Sequence, residues 1–113
     1  MTNRELLEAA AKAAGYADAK YKDMEGWGEI RYGLSEAIWS EQLFKEDGSG
    51  YWNPLVDDGE ALRLAVRLGM TIRIDTRAGF SWVKGFEGSE PHGSDPAAAT
   101  RRAIVRAAAA MAG

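Results

Sequence analysis

The fold is decided by the stretch Tyr51-Trp52-Asn53-Pro54-Leu55-Val56-Asp57-Asp58-Gly59-Glu60-Ala61-Leu62-Arg63-Leu64-Ala65-Val66-Arg67-Leu68-Gly69, which contains every signal of a complete helix. The Asp57 carboxylate can accept a backbone N–H of the first turn, and Glu60 can reach back to the cap. Pro54 prevents an earlier start, and Gly69 can end the helix in the left-handed conformation. The apolar stripe has helical spacing and consists of Ala61, Leu64, Ala65 and Leu68, widened by Leu62 and Val66.

Two further helices are predicted, one towards each end of the chain. Thr2 and Glu5 form a capping box, which predicts a helix over 3–14. Asp95 followed by Pro96 predicts a second helix over about 96–111. Its apolar line is thin and alanine-rich: Ala97, Thr100, Ile104, Ala108 and Met111. A face this thin must lie close to its neighbour to exclude water.

Alternation of apolar and polar residues predicts strands in the remaining segments. A hairpin is expected over 70–86, with Met70, Ile72 and Ile74 alternating in its first strand and Phe80, Trp82 and Phe86 sharing one face of its second. Residues 27–34 predict a glycine-punctuated strand. Residues 35–44 fit either a short helix capped by Ser35 or an irregular excursion, and 47–50 fit a turn. The predicted fold class is α+β, a small antiparallel-rich sheet covered by helices (an α/β/α sandwich) in one domain over 1–113.

Composition narrows the class of protein. The chain has 113 residues, no cysteine and a formal net charge of −3. The absence of cysteine excludes disulfides and thiolate zinc sites. The acidic balance argues weakly against a general nucleic-acid binder, and we expect no sequence-specific nucleic-acid partner. The opening residues do not fit a secretory leader and no stretch fits a membrane span, so we expect a cytoplasmic protein.

Two blocks of the sequence resemble a known family. They are Trp52-Asn53-Pro54-Leu55-Val56-Asp57-Asp58-Gly59-Glu60-Ala61-Leu62-Arg63-Leu64-Ala65-Val66 and Asp95-Pro96-Ala97-Ala98-Ala99-Thr100-Arg101-Arg102-Ala103-Ile104-Val105-Arg106-Ala107-Ala108. Both are similar to signature blocks of small bacteriophage and prophage proteins known as the phage ABA sandwich domain family, and residues 3–15 resemble its N-terminal helix. The resemblance implies helices on both faces of a small sheet. Residues of about 34–50 then stand as an insertion before the first block.

Catalytic motifs are not evident in the sequence. His92 is the only histidine, and without partners at ligand spacing it predicts a surface or capping role and no metal site. Asp57 and Asp58 are explained by their position at a helix start. A hydrolase that uses Asp57, Asp58 and His92 is therefore the weakest hypothesis. We expect no enzyme, no cofactor and no metal.

Aromatic residues are the first group of binding candidates. They are dense between residues 16 and 52, where the candidates are Trp27, Tyr32, Trp39, Phe44 and Trp52. Aromatic side chains stack on nucleobases and dominate interface hot spots. The alternative is that Trp27, Tyr32 and Trp52 only complete the core. The insertion residues Trp39 and Phe44 fit that alternative less well.

Arginines on two helices are the second group. Arg63 and Arg67 are one turn apart, as are Arg102 and Arg106. Side by side, the two helices would form a basic stripe able to hold phosphates or an acidic protein. The alternative is a solvated face on which each arginine pairs with a carboxylate.

Two functions of different kind follow. The first is a non-enzymatic phage accessory protein in the host cytoplasm that antagonises antiphage defence, either by sequestering a nucleotide immune signal or by blocking a defence protein. The second is a structural or regulatory homo-oligomeric module of phage replication or assembly, without a ligand pocket. The first hypothesis needs exposed aromatic or arginine side chains at one site, and the second needs a self-association surface.

Overall fold

The computed structural model describes residues 1–112, apart from the side chain of Asp47. Within them the chain forms five helices and six short strands. In chain order these are α1 (Asn3–Ala13), β1 (Lys20–Asp23), α2 (Trp27–Tyr32), β2 (Glu36–Trp39), α3 (Glu41–Asp47), β3 (Tyr51–Trp52), α4 (Asp58–Arg67), β4 (Ile72–Asp75), β5 (Phe80–Val83), β6 (Glu90–Pro91) and α5 (Pro96–Ala112). The predicted α+β class is confirmed.

The strands form two three-stranded antiparallel sheets, where the sequence suggested one. The first sheet has the order β1-β2-β3, and the second has the order β4-β5-β6. In the first sheet Ile38 lies opposite Tyr21 and Trp52, and Trp39 lies opposite Lys20 and Tyr51. Because side chains alternate across a strand, Ile38 and Trp52 share the face that is buried, and Trp39 and Tyr51 share the other face.

Helices α1 and α5 pack against each other and supply much of the core. Both expected helices are confirmed, and the Thr2–Glu5 capping box is present in α1. The buried residues of the two helices are mainly alanine and leucine: Leu6, Leu7, Ala10 and Ala11 in α1, and Ala99, Ala103, Ile104, Val105, Ala107, Ala108 and Ala109 in α5. The predicted apolar line of α5 is wrong at Ala97 and Met111, which are exposed, because burial follows a wider stripe in the middle of the helix.

Helix α4 begins where the sequence predicts. The Asp57 carboxylate accepts the backbone N–H of Glu60 at 2.8 Å, and Glu60 in turn accepts the N–H of Asn53 at 2.7 Å, so it ties the preceding turn to the helix. The expected widening of the apolar stripe is wrong: Leu62 and Val66 are 62% and 72% exposed. Only the narrow stripe of Ala61, Leu64 and Ala65 is buried, since these three residues face the core.

The strand expected over residues 27–34 is wrong, because Trp27–Tyr32 is helical. Gly26 and Gly33 have φ of +85° and +70°, backbone conformations that suit glycine and that bound a short helix. The Gly33 N–H donates to the carbonyl of Glu29. The alternation at Ile30 does not reflect burial, since Ile30 is 90% exposed.

Residues 35–44 differ from both alternatives suggested by the sequence. Glu36–Trp39 is the central strand of the first sheet, so the segment predicted as an insertion supplies part of the framework. The helix cap is Ser40, whose hydroxyl accepts the N–H of Gln42. Ser35 lies before the strand, and its carbonyl accepts the N–H of Met24 at 2.9 Å.

Asp18 fixes the start of α3. Its carboxylate accepts the Ser40 hydroxyl at 2.6 Å and the Glu41 N–H at 2.8 Å, and these bonds lower the pKa of Asp18 below its usual value of 3.8. A lowered carboxyl pKa contributes stability above pH 3.8 that is lost as pH falls through the folded-state pKa.

Asp18→Asn should therefore lower the free energy of unfolding at neutral pH and make its decline in acid shallower. Urea unfolding at a series of pH values checks this, and an unchanged acid dependence would contradict it.

The hairpin over β4 and β5 is confirmed. The face of β5 that is buried is the one opposite to the predicted face of Phe80 and Trp82. Ser81 and Val83 are buried, whereas Phe80 and Trp82 are only partly buried. Val83 packs on α5 through Ala103 and Ala107. The predicted face is wrong because two alanines leave room for a small strand residue and not for an indole ring.

Candidate functional site

Three aromatic rings from α2 and β3 contact one another on the outer side of the first sheet. The ring centroids of Trp27 and Tyr32 are 6.1 Å apart, those of Trp27 and Tyr51 are 6.0 Å apart, and those of Tyr32 and Tyr51 are 4.9 Å apart. The two contacts made by Trp27 are edge-to-face, an arrangement that aromatic pairs favour. These rings therefore hold α2 against the sheet.

Trp39 and Phe44 extend this cluster towards α3. Trp39 lies beside Tyr51 across the strand pair, and the side chains of Trp39 and Phe44 both approach Gly50. We call Trp27, Tyr32, Trp39, Phe44 and Tyr51 the aromatic face. Trp27 and Phe44 are each 53% exposed, so the face remains open to solvent even though three of its rings contact one another. An exposed apolar patch of this kind is typical of a protein-binding surface.

Acidic residues are concentrated in the segment that builds the aromatic face. Residues 16–52 contain eight acidic and four basic residues, whereas the rest of the chain contains nine acidic and ten basic residues. The segment therefore has a formal charge of −4 and the rest of the chain +1, so the net charge of −3 arises from this segment. Charge of one sign around an apolar patch favours partners of the opposite sign.

Trp52 is a core residue and lies away from the aromatic face. It is 4% exposed, and its ring meets Tyr16 edge-to-face at 5.7 Å. Both rings form the floor of a groove between α4 and α3, which has a volume of about 520 Å³. Tyr16, Leu43, Trp52 and Leu64 line its floor, and Glu46, Glu60, Arg63 and Arg67 lie along its rim. We call this the α4 groove.

Arg67 is already engaged at the rim of the α4 groove. Its Nη1 donates to the Tyr16 hydroxyl at 2.7 Å, its guanidinium lies 5.0 Å from the Tyr16 ring centroid, and Glu46 is 4.0 Å away. Arg63, one turn earlier, points back along α4 towards Gly59.

The arginines of α5 are paired with carboxylates that lie on β6 and α4. Arg102 lies 3.9 Å from Glu90 and donates to the Asn3 side chain, and Arg106 forms an ion pair with the same Glu90. Arg101 donates to the Leu55 carbonyl and to Asp58, which anchors α4 to α5. The structure therefore brings Arg63 and Arg67 together and keeps Arg102 at a separate place.

His92 is buried, so the expected surface position is wrong. Its Nε2 lies 2.8 Å from the Ser81 hydroxyl, which lies 2.8 Å from that of Thr100, and Thr100 donates to the Pro96 carbonyl. Ser81 is fully buried, so this bonded chain ties β5 to the start of α5 without exposing a hydroxyl. Asp57 and Asp58 lie at the start of α4, where Asp57 caps and Asp58 meets Arg101, and they are bonded elsewhere.

Sequence reasoning missed two residues that matter here. Tyr51 is one of the dense aromatics of the sequence but not one of the candidates, and alternation along β3 places it on the open side of the sheet. Ser81 has no nucleophile-elbow context in the sequence, and the structure places it on the buried face of β5. The signal for Ser81 was its place between Phe80 and Trp82, opposite an alanine-rich helix.

The comparisons with known proteins add no family. No family model, curated protein or solved structure matches the chain. Over residues 1–112, no group of three or more histidine, aspartate or glutamate side chains is arranged to hold a metal ion. No helix in the same range is long and apolar enough to cross a membrane.

Proposed function

We propose that this chain is a non-enzymatic phage accessory protein that antagonises antiphage defence by blocking a defence protein in the host cytoplasm. The aromatic face is the contact surface. The observation that carries the proposal is the half-exposed state of Trp27 and Phe44 beside Tyr32, Trp39 and Tyr51. Tryptophan and tyrosine are the residue types most enriched in interface hot spots.

The acidic charge around the aromatic face indicates that the partner's contact surface is basic. The aromatic face belongs to a segment with twice as many acidic as basic residues. A partner with lysine and arginine around an apolar centre complements both features, and its approach is accelerated by electrostatic attraction. The association rate should fall as salt is added, because salt screens exposed charges.

A defence protein suits this geometry better than a nucleotide signal. Phosphate binding needs cationic groups that converge on one site. Arg67 is bonded to Tyr16 and lies near Glu46, and Arg102 lies near Glu90 at another place. The aromatic residues of the groove beside Arg63 and Arg67 are Tyr16 and Trp52, and at 7% and 4% exposure both are too buried to stack on a base.

The phage setting rests on the resemblance of the Trp52–Val66 and Asp95–Ala108 blocks to the phage ABA sandwich domain family. These blocks form α4 and α5, which hold the core, whereas the aromatic face comes from the segment between α1 and α4. A framework from one part of a chain can carry a binding segment from another part, because the site and not the fold determines function.

Removing the most exposed rings should weaken partner binding strongly. Trp27→Ala combined with Phe44→Ala should weaken binding at least about tenfold, because exposed aromatic anchors carry much of the interface energy. Co-purification from hosts that carry defence systems identifies the partner, and titration calorimetry with that purified partner measures the affinity. Ile74→Ala, which alters an exposed residue of the second sheet, is the matched control and should bind normally.

Nucleotide binding is tested separately with cyclic and linear signalling nucleotides. We expect no thermal shift and full recovery of intact nucleotide after denaturation. A thermal shift with recovery of intact nucleotide would contradict the blocking of a defence protein and would favour sequestration of a nucleotide signal. Chemically altered nucleotide would contradict the non-enzymatic function itself.

A further inference from the structure

Helix α4 has an exposed apolar ridge that its own fold does not use. Leu62 and Val66 are one turn apart and largely exposed, and Arg63 lies between them. We call these three residues the α4 ridge. Two large apolar side chains at this spacing are the usual anchors of a helix that lies in a groove of a partner.

The α4 groove lies directly beside this ridge. Its floor is formed by aromatic and aliphatic side chains, including Leu43 and Trp52, and its far bank is α3 with Glu46. A volume of about 520 Å³ can accept a few apolar side chains. Leu62, Arg63 and Val66 themselves form the α4 wall of this groove, so the ridge and the groove belong to one continuous surface.

The charges of the two features are complementary. Within the described residues the guanidinium of Arg63 has no ion pair or hydrogen bond. Glu46, on the opposite bank, has its nearest cation, Arg67, at 4.0 Å, the limit of an ion pair. Glu46 also accepts a long hydrogen bond of 3.4 Å from Gln42 of its own helix. Arg63 and Glu46 thus place one positive and one negative charge on opposite banks of the groove, where a second molecule can supply the opposite charge to each.

We propose that the α4 ridge and the α4 groove form a two-fold homodimer interface, with the ridge of each copy in the groove of the other. A two-fold axis makes each contact occur twice, so Arg63 of each copy meets Glu46 of its partner. The occupant of the groove is a second copy of this chain because the ridge that fits it, with the matching charge, is part of the same surface. Helix α3 contributes to both surfaces, because Leu43 and Glu46 line the groove and Phe44 belongs to the aromatic face.

Light scattering tests the dimer at protein concentrations from about 10 µM to about 1 mM. The wild-type chain should approach twice the mass of one 12.3 kDa chain. Leu62→Asp with Val66→Asp should raise the dissociation constant at least about tenfold, since both exposed anchors are lost. Ile74→Asp and Trp27→Ala are matched controls elsewhere on the surface and should dimerise normally. A wild-type monomer throughout this range, or a Trp27→Ala monomer, would overturn the proposal.

Charge reversal tests the pairing of Arg63 with Glu46. Arg63→Glu alone and Glu46→Arg alone should each weaken self-association, because each homodimer contains two like-charge contacts. An equal mixture of the two variants should form a heterodimer, in which both contacts are again opposite in charge. Unchanged self-association of either variant, or failure of the mixture to associate, would overturn the pairing. Partner binding through the aromatic face is measured independently, so the failure of one proposal leaves the other intact.

Discussion

Replacing Gly28 with alanine should lower the free energy of unfolding by about 1–3 kcal/mol, the usual cost of an added carbon in a close-packed site. A Cβ at Gly28 would lie 2.3 Å from Cβ of Met24 and 3.2 Å from the carbonyl oxygen of Leu34. Met24 is fully buried, and the position of its Cβ is set by the main chain. The backbone of α2 must therefore move, and it carries Trp27 and Tyr32 with it.

The Gly28→Ala variant should also lose partner binding, because α2 supplies two rings of the aromatic face. Urea unfolding measures the stability, and near-ultraviolet circular dichroism reports the packing of the rings. Gly59→Ala is the matched control, since Gly59 lies in the first turn of α4 and the nearest atom to its added Cβ is the flexible end of Arg63. That control should be neutral or slightly more stable. Equal stability of Gly28→Ala and wild type would contradict the close approach of α2 to Met24.

Replacing Leu7 with alanine should cost about 2–5 kcal/mol, the range of leucine-to-alanine changes in protein cores. Leu7 is fully buried in the main core cluster, which also contains Val105 and Ala108 of α5. The alanine-rich face of α5 has few large side chains that can move into the space. The cavity should therefore persist, and its cost adds to the lost transfer free energy.

The measurement is chemical denaturation monitored by far-ultraviolet circular dichroism. Ile30→Ala removes a similar side chain at a position that is 90% exposed, and it should change the free energy of unfolding by less than about 0.5 kcal/mol. A Leu7→Ala variant with the stability of Ile30→Ala would contradict the packing of α1 against α5.

The long helices could be predicted from sequence because their signals are local. Each of these helices begins with a side chain that accepts the backbone N–H three residues later. The capping residues are Thr2, Asp57 and Asp95. The central segment could not be predicted, because its conformation depends on distant residues. Helix α2 depends on its packing against Tyr51, and the start of α3 depends on Asp18, which is 22 residues from Ser40.

The sequence predicted which residue types form the candidate site, but not how those residues are arranged in space. Aromatic density indicated one segment, within which Trp27 contacts Tyr32, and Trp39 and Phe44 both approach Gly50. Tyr51 joins the two pairs. The division between Trp52 in the core and Tyr51 on the open side follows from strand register, which the sequence did not reveal. The pairing of Arg102 with Glu90 likewise required the packing of α5 on β6.

Phage plating on bacteria that carry individual defence systems tests the central claim most directly. Cells that express the wild-type chain should regain plating of a restricted phage on at least one such system, because the defence protein is blocked. The Trp27→Ala, Phe44→Ala variant should fail to restore plating, and Ile74→Ala should restore it fully at equal protein level. Equal restoration by the aromatic-face variant, or no restoration by the wild-type chain on any system, would contradict the claim.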